Sequence, residues 1–167
     1  MKKTLAALAA IVLFGRALAT EVYFSPNGGA QAALVQEVGQ ARSEIRVMSY
    51  QMTSKHVEEA LVAAQARGVD VRVIVDRSQR RATASGAQYC CAYKLAAAVP
   101  TQLDAKHPIQ HNKVIVIDRQ TVITGSFNFS NAAEKANAEN MLVLRDAALA
   151  QKYLDNWKLH STHSEAF

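Results

Sequence analysis

Val114-Ile115-Val116-Ile117 is an unbroken run of β-branched residues. Side chains alternate across a strand, so a run with no polar face puts apolar groups on both sides of its sheet. Such a strand belongs in a sheet that is covered above and below. The rest of the chain supplies the covers. From Ala30 to Ala41, Leu34, Val38 and Ala41 form one helical stripe. Val57, Leu61 and Ala64 recur at helical spacing after Ser54, a capping residue, and Gly68 ends that helix. Strands are expected at Val22 to Phe24, Glu44 to Met52, Val69 to Val75, Asn112 to Ile117, Thr121 to Thr124 and Asn140 to Leu144. Asp118-Arg119-Gln120 joins two of them as a hairpin turn. The segment from Ser78 starts as a loop with Thr83, Ser85 and Gly86, and from Gln88 forms a helix that stops before Pro100. A last helix follows Asp146, with Leu149, Tyr153, Leu154 and Trp157 on its stripe. This order describes an α/β fold of one domain, a mixed β-sheet flanked by helices on both faces.

The first residues stand apart. Lys2 and Lys3 precede an apolar stretch from Leu5 to Phe14, and Ala17-Leu18-Ala19 has the small-x-small form of a cleavage site. These are the parts of a secretory signal peptide over residues 1–19, which leaves a domain over 20–167 and predicts a periplasmic or secreted protein. No run reaches the roughly eighteen apolar residues of a membrane-spanning helix, so no stable membrane insertion is expected. Losing Lys2, Lys3 and Arg16 takes three positive charges from a formal net charge of +5. The balance left permits nucleic-acid binding without arguing for it. Arg77, Arg80 and Arg81, with Lys94 and Lys106 later, fit a phosphate-facing patch and a solvated surface equally well. Cys90 and Cys91 are neighbours, and bridges ordinarily need Cα atoms roughly 4.4–6.8 Å apart. A strained vicinal bridge, intermolecular bridges and two buried thiols are the alternatives.

Chemistry concentrates in His111-Asn112-Lys113 and in Gly125-Ser126-Phe127-Asn128-Phe129-Ser130. His111 and Lys113, two apart on a strand, face the same way. An imidazole that attacks or carries a proton, beside an ammonium that offsets charge on phosphoryl oxygens, suits an anionic phosphodiester. The Gly-Ser step and Asn128 add small uncharged donors where backbone must approach a ligand.

His111, Lys113 and Asp118 at HxKxxxxD spacing, followed by Gly125-Ser126-x-Asn128, resemble the HKD signature of the phospholipase D superfamily. The resemblance is closer to its small, single-motif bacterial endonucleases, the EDTA-resistant Nuc type. It extends over nearly all of the chain after the leader, including Val69 to Asp76 and the Glu139-Asn140 pair. It implies a phospholipase D-like fold and catalysis with no metal or other cofactor. It also implies that His111 forms a phosphohistidine, and that Lys113 and Asn128 hold phosphoryl oxygens with Ser126 close by. Glu139 would orient the imidazole. The family uses two histidines and this chain has one motif, so a two-fold homodimer with the active site at its interface is implied. Asp118 belongs to the motif and stands with the candidate catalytic residues. A straight strand, however, puts it roughly 23 Å from His111 and on the other face, a position suited to supporting the hairpin or the dimer interface.

The remaining histidines are expected at the surface. His107 and His111 are four apart, but Pro108 makes a helix improbable there. His56 lies in a first helical turn, and His160 and His163 in a frayed terminus. No carboxylate cluster of the kind metal nucleases use lies near the motif. The leading expectation is a metal-independent endonuclease acting on DNA or RNA. The alternatives are a phospholipase D acting on lipid headgroups and a non-catalytic nucleic-acid-binding protein that only grips phosphate.

Overall fold

Lys113–Ile117 (β5) is buried at every position, as its composition requires. It is hydrogen-bonded on both sides, antiparallel to Glu44–Ser49 (β2) and to Thr121–Gly125 (β6). The computed structural model describes residues 20–80 and 90–167. The leader over 1–19, Arg81 and the loop expected at Thr83, Ser85 and Gly86 lie outside the described residues, as do the side chains of Cys90 and Cys91.

The other strands are Thr20–Ser25 (β1), Asp70–Asp76 (β3), Thr101–Asp104 (β4), Glu139–Arg145 (β7) and Glu165–Ala166 (β8). They form one sheet in the order β1-β7-β6-β5-β2-β3-β4-β8. Strands β2, β3 and β4 run parallel to one another, and every other pairing is antiparallel. The helices are Ala30–Gln40 (α1), Lys55–Ala66 (α2), Cys90–Ala98 (α3), Asn131–Lys135 (α4) and Ala147–Ser161 (α5).

The double coverage inferred from β5 is present. Ile115 and Ile117 point to one face, where Leu34 and Val38 of α1, Val57 and Leu61 of α2, and Leu95 of α3 pack. Val114 and Val116 point to the other face, covered by Ala150 and Trp157 of α5. Each such large side chain, fully buried, contributes about 1.5–3 kcal/mol. The capping residues behave as expected. Asp146 accepts from the N–H groups of Ala148 and Leu149 at 2.8 and 3.1 Å, and Ser54 caps α2.

Several boundaries differ from expectation. Strand β2 ends at Ser49 rather than Met52, because the Ser49 hydroxyl donates to the Gln51 carbonyl at 2.8 Å and turns the chain. Met52 makes only an isolated bridge to Phe129. Strands β4 and β8 and the five-residue α4 are additions, too short to carry a periodic signal. The parallel strands end at Ser49, Asp76 and Asp104, so the carboxyl edge of the sheet gathers polar residues, as open α/β sheets do at their ligand sites.

Candidate active site

Five of the residues singled out by the motif line one cavity of about 460 Å³: His111, Lys113, Ser126, Asn128 and Glu139, with Thr124, Gly125 and Tyr153 beside them. The cavity opens where β5 begins. His111 precedes that strand and is exposed; Lys113, its first residue, is only 8% exposed. The Lys113 ammonium donates to the carbonyl of His111 at 2.7 Å, which fixes it beside the imidazole. Burial pushes Lys113 below the ordinary lysine range, and the nearby Glu139 carboxylate opposes that shift.

The segment after β6 is built to aim two small polar side chains. Phe127 and Phe129 plug into the core, 2% and 1% exposed, so the alternating Ser126 and Asn128 face the cavity. Gly125 makes the corner possible. Its φ is +145°, and a Cβ there would lie 2.3 Å from the Asn140 carbonyl oxygen. That same oxygen accepts the N–H groups of Ser126 and Phe127, at 3.1 and 3.2 Å. Asn128 Oδ1 is buried and has no hydrogen-bond partner among the described residues. The Asn128 amide nitrogen is the donor that the side chain has to offer an anionic ligand.

Glu139 shares the cavity with His111, and its hydrogen bonds run to its own side of it. Its carboxylate accepts from the Ser126 hydroxyl at 2.6 Å and from Asn137 Nδ2 at 3.1 Å. Asp118 is not part of this group. It sits at the far end of β5, where its carboxylate accepts from the N–H groups of Arg42, Ser43 and Glu44 and from the Ser43 hydroxyl, at 2.7–3.0 Å. The placement among catalytic residues that the motif suggested gives way to support of the hairpin. Burial raises the Asp118 carboxyl, and the bonds from Ser43, Glu44 and Arg42 outweigh it, leaving the group below its ordinary value.

Two elements of this region were not foreseen. Tyr50, just beyond the end of β2, packs against the His111 ring at 4.8 Å between centroids with the planes tilted by 53°, and the Lys113 ammonium lies 5.2 Å from the Tyr50 ring. Its position at the carboxyl end of a parallel strand was the available signal. The second is a correction. His107, His160 and His163 are not scattered over the surface but converge on Asp104, which is fully buried. Arg80 of the basic group is drawn off to Glu165, at 3.5 Å.

A family model described as cardiolipin synthase, PLD-like domain, matches residues 34–159. A phospholipase D of Rickettsia prowazekii is 40% identical over 144 residues, which span 86% of this chain and 68% of that protein. A second relative, from Rickettsia bellii, is 41% identical and is covered over 65% of its length, so the chain spans about two-thirds of these proteins. Among solved structures, the phospholipase D family member Nuc of Salmonella typhimurium superposes with a TM-score of 0.83 at 36% identity, covering 90% of this chain and 98% of that one. NucT from Helicobacter pylori, at 22% identity and a TM-score of 0.79, shares the fold. The HKD residues, the sheet order that places them and these relatives agree: the chain belongs to the phospholipase D superfamily of phosphodiesterases, as a member of the Nuc type.

Proposed function

We propose that the chain is a metal-independent endonuclease that cleaves DNA or RNA, with little sequence preference, through a covalent phosphohistidine on His111. The observation that carries this is the composition of the cavity, which among the described residues offers one imidazole, one buried ammonium, a hydroxyl and the Asn128 amide. Among the described residues Glu139 is its one lining carboxylate, and Ser126 and Asn137 already bond it. Metal-dependent phosphodiester cleavage gathers several carboxylates around its ions.

In the first step a His111 ring nitrogen donates its lone pair to phosphorus. The bond from phosphorus to the leaving oxygen breaks, and that oxygen takes a proton from His111 of the partner subunit. In the second step the same partner imidazole takes a proton from water, the resulting hydroxide bonds to phosphorus, and the nitrogen–phosphorus bond breaks. Lys113 and the Asn128 amide hold the phosphoryl oxygens as charge builds on them. Glu139 orients the imidazole and selects the tautomer with a free nitrogen, once Ser126 turns from its carboxylate toward the phosphate.

Each chain supplies one imidazole, so the active unit is a two-fold homodimer. Val22 and Phe24 support this reading. They point outward from β1, 52% and 61% exposed, and Phe24 lies opposite Asn140, next to Glu139 on β7. Exposed apolar side chains beside a half-built site suit a subunit interface. The leader over residues 1–19 delivers the protein to the periplasm or the medium. A phospholipase D acting on lipid headgroups is the second reading, favoured by the name of the Rickettsia prowazekii relative.

The test is to mix protein with DNA labelled with radiophosphate in excess EDTA, and to denature in alkaline detergent. Label should stay on the protein and be released by acid. His111→Ala should carry none and lose at least about 10³-fold in turnover. A parent chain that cuts the DNA and carries no label, or a His111→Ala variant that cuts at the parental rate, overturns the mechanism. Phosphatidylcholine vesicles in a parallel reaction decide between the two substrates.

A further inference from the structure

The loop after β4, residues 105–112, carries His111 near its end, and its base is held by a cluster outside the cavity. None of Asp104, His107, His160 and His163 lines that cavity. His107 and His160 bring their Nδ1 atoms to 2.9 and 2.8 Å from Asp104 Oδ2, and His163 Nε2 lies 3.6 Å from Oδ1. The three rings sit 4.9, 5.1 and 5.3 Å apart between centroids. One ligand atom from each residue falls within 4.8 Å of all the others.

Hydrogen bonding alone does not satisfy this arrangement. Oδ2 of Asp104 faces three nitrogens at once, because Gln110 Nε2 also donates to it at 3.2 Å. That amide nitrogen, which can only donate, lies 3.2 Å from His160 Nδ1 as well. With a proton on Nδ1 two donors meet; without one, a lone pair meets the carboxylate. Neither form serves both neighbours. His163 Nε2 is buried and has no hydrogen-bond partner among the described residues. Charging more than one of three rings this close sets like charges together.

We propose that Asp104, His107, His160 and His163 bind one divalent transition-metal ion, with zinc the best match, as a structural site separate from the phosphodiester chemistry. Three imidazole nitrogens and one carboxylate oxygen are a zinc donor set, and four protein ligands close the coordination sphere. Tetrahedral bonds of about 2.0–2.2 Å would space the donors roughly 3.4 Å apart. His160 and His107 lie 2.8 and 2.9 Å from Oδ2 and His163 lies 3.6 Å from Oδ1, and one donor atom from each residue falls within 4.8 Å of the rest, so small side-chain shifts complete the site. Bare imidazole nitrogens then face the cation, and His163 gains the partner it lacks. Gln110, 1% exposed, keeps its bond to Asp104 and passes the position on: its Oε1 accepts from the N–H of Asn112 at 3.1 Å, next to His111. The ion therefore ties the end of β4 and the end of α5 to the loop that presents the nucleophile.

The full chain, purified without chelator or added metal, should hold about one zinc per protein by elemental analysis. Exchange of zinc for Co²⁺ should produce the visible absorption of a four-coordinate site. His163→Ala and His107→Ala should each lower affinity for Zn²⁺ at least tenfold, while His111→Ala retains the metal. Added Zn²⁺ should raise the unfolding temperature of the parent and not that of His107→Ala, whose half-exposed ring makes it the variant most certain to fold. A parent chain that takes up neither ion, or histidine variants that keep the metal at parental affinity, would show a hydrogen-bonded cluster only and end the proposal. Because stoichiometry and spectrum are read without substrate, this outcome is independent of the nuclease assay.

Discussion

Lys113 holds a positive charge where burial works against it, and that tension has a measurable sign. Its pKa in the folded chain is lowered by desolvation, with Glu139 opposing. Between the folded and unfolded values the unfolded chain binds more protons, so this residue's contribution to stability rises with pH across that window. Its contribution to turnover moves the other way, because the phosphoryl oxygens lose their cation as the amine deprotonates. Activity should therefore fall on the alkaline side at a pH below the ordinary lysine range, while thermal stability holds or improves. Lys113→Met should reproduce both effects at neutral pH: turnover down by at least about 10²-fold, with the unfolding temperature unchanged or higher. A variant that loses stability in proportion to activity would make the lysine a packing residue. His111, Lys113, Ser126, Asn128 and Glu139 were all legible in the sequence because each lies within a short motif or is carried by its resemblance. Tyr50 was not, since its role comes only from lying across the sheet, where β2 ends beside β5.

At the level of elements, the strands that could be read were those whose chemistry is local. β5 announces itself by four consecutive β-branched residues, and α2 and α5 by Ser54 and Asp146 at their starts. β4, four residues of mixed polarity, and β8, two residues, exist because neighbouring strands offer them hydrogen bonds, a cause absent from their own composition. The β5–β6 turn shows what Asp118 does. Asp118 and Arg119 both have positive φ, 51° and 57°, and the Asp118 carboxylate gathers the backbone of residues 42–44. Asp118→Asn places an amide donor where three backbone donors and a hydroxyl already point. It should cost about 1–3 kcal/mol of stability and leave the rate constant of the folded protein alone. The carboxyl's folded pKa is lowered, so its stabilisation is complete above the unfolded value and disappears as pH falls through the folded one. The gap in unfolding temperature between parent and variant should therefore close in acid. A gap that persists at low pH would assign the loss to something other than the charge.

For the whole molecule, the double layer of helices followed from the sequence and the histidine cluster did not. Asp104 and His163 are 59 positions apart. Only the pairing of β4 into the sheet and the return of the chain along α5 bring them together. Assembly is the remaining issue at this scale. If two cavities meet across β1, a charge on its outer face should separate the subunits without unfolding either. Phe24→Asp should elute as a monomer with an unchanged far-ultraviolet spectrum and lose at least about 10²-fold in turnover, since a protonating imidazole is removed. A variant that stays dimeric and active would move the interface elsewhere.

Trp157, the chain's single tryptophan, donates its indole N–H to the Val47 carbonyl at 3.1 Å and lies under the Arg46 guanidinium, 5.4 Å away. It occupies α5 one turn before His160. Its fluorescence therefore comes from one known place, the seam between the last helix and the centre of the sheet. Emission shifting to longer wavelength would time the undocking of that helix on its own, with no label attached.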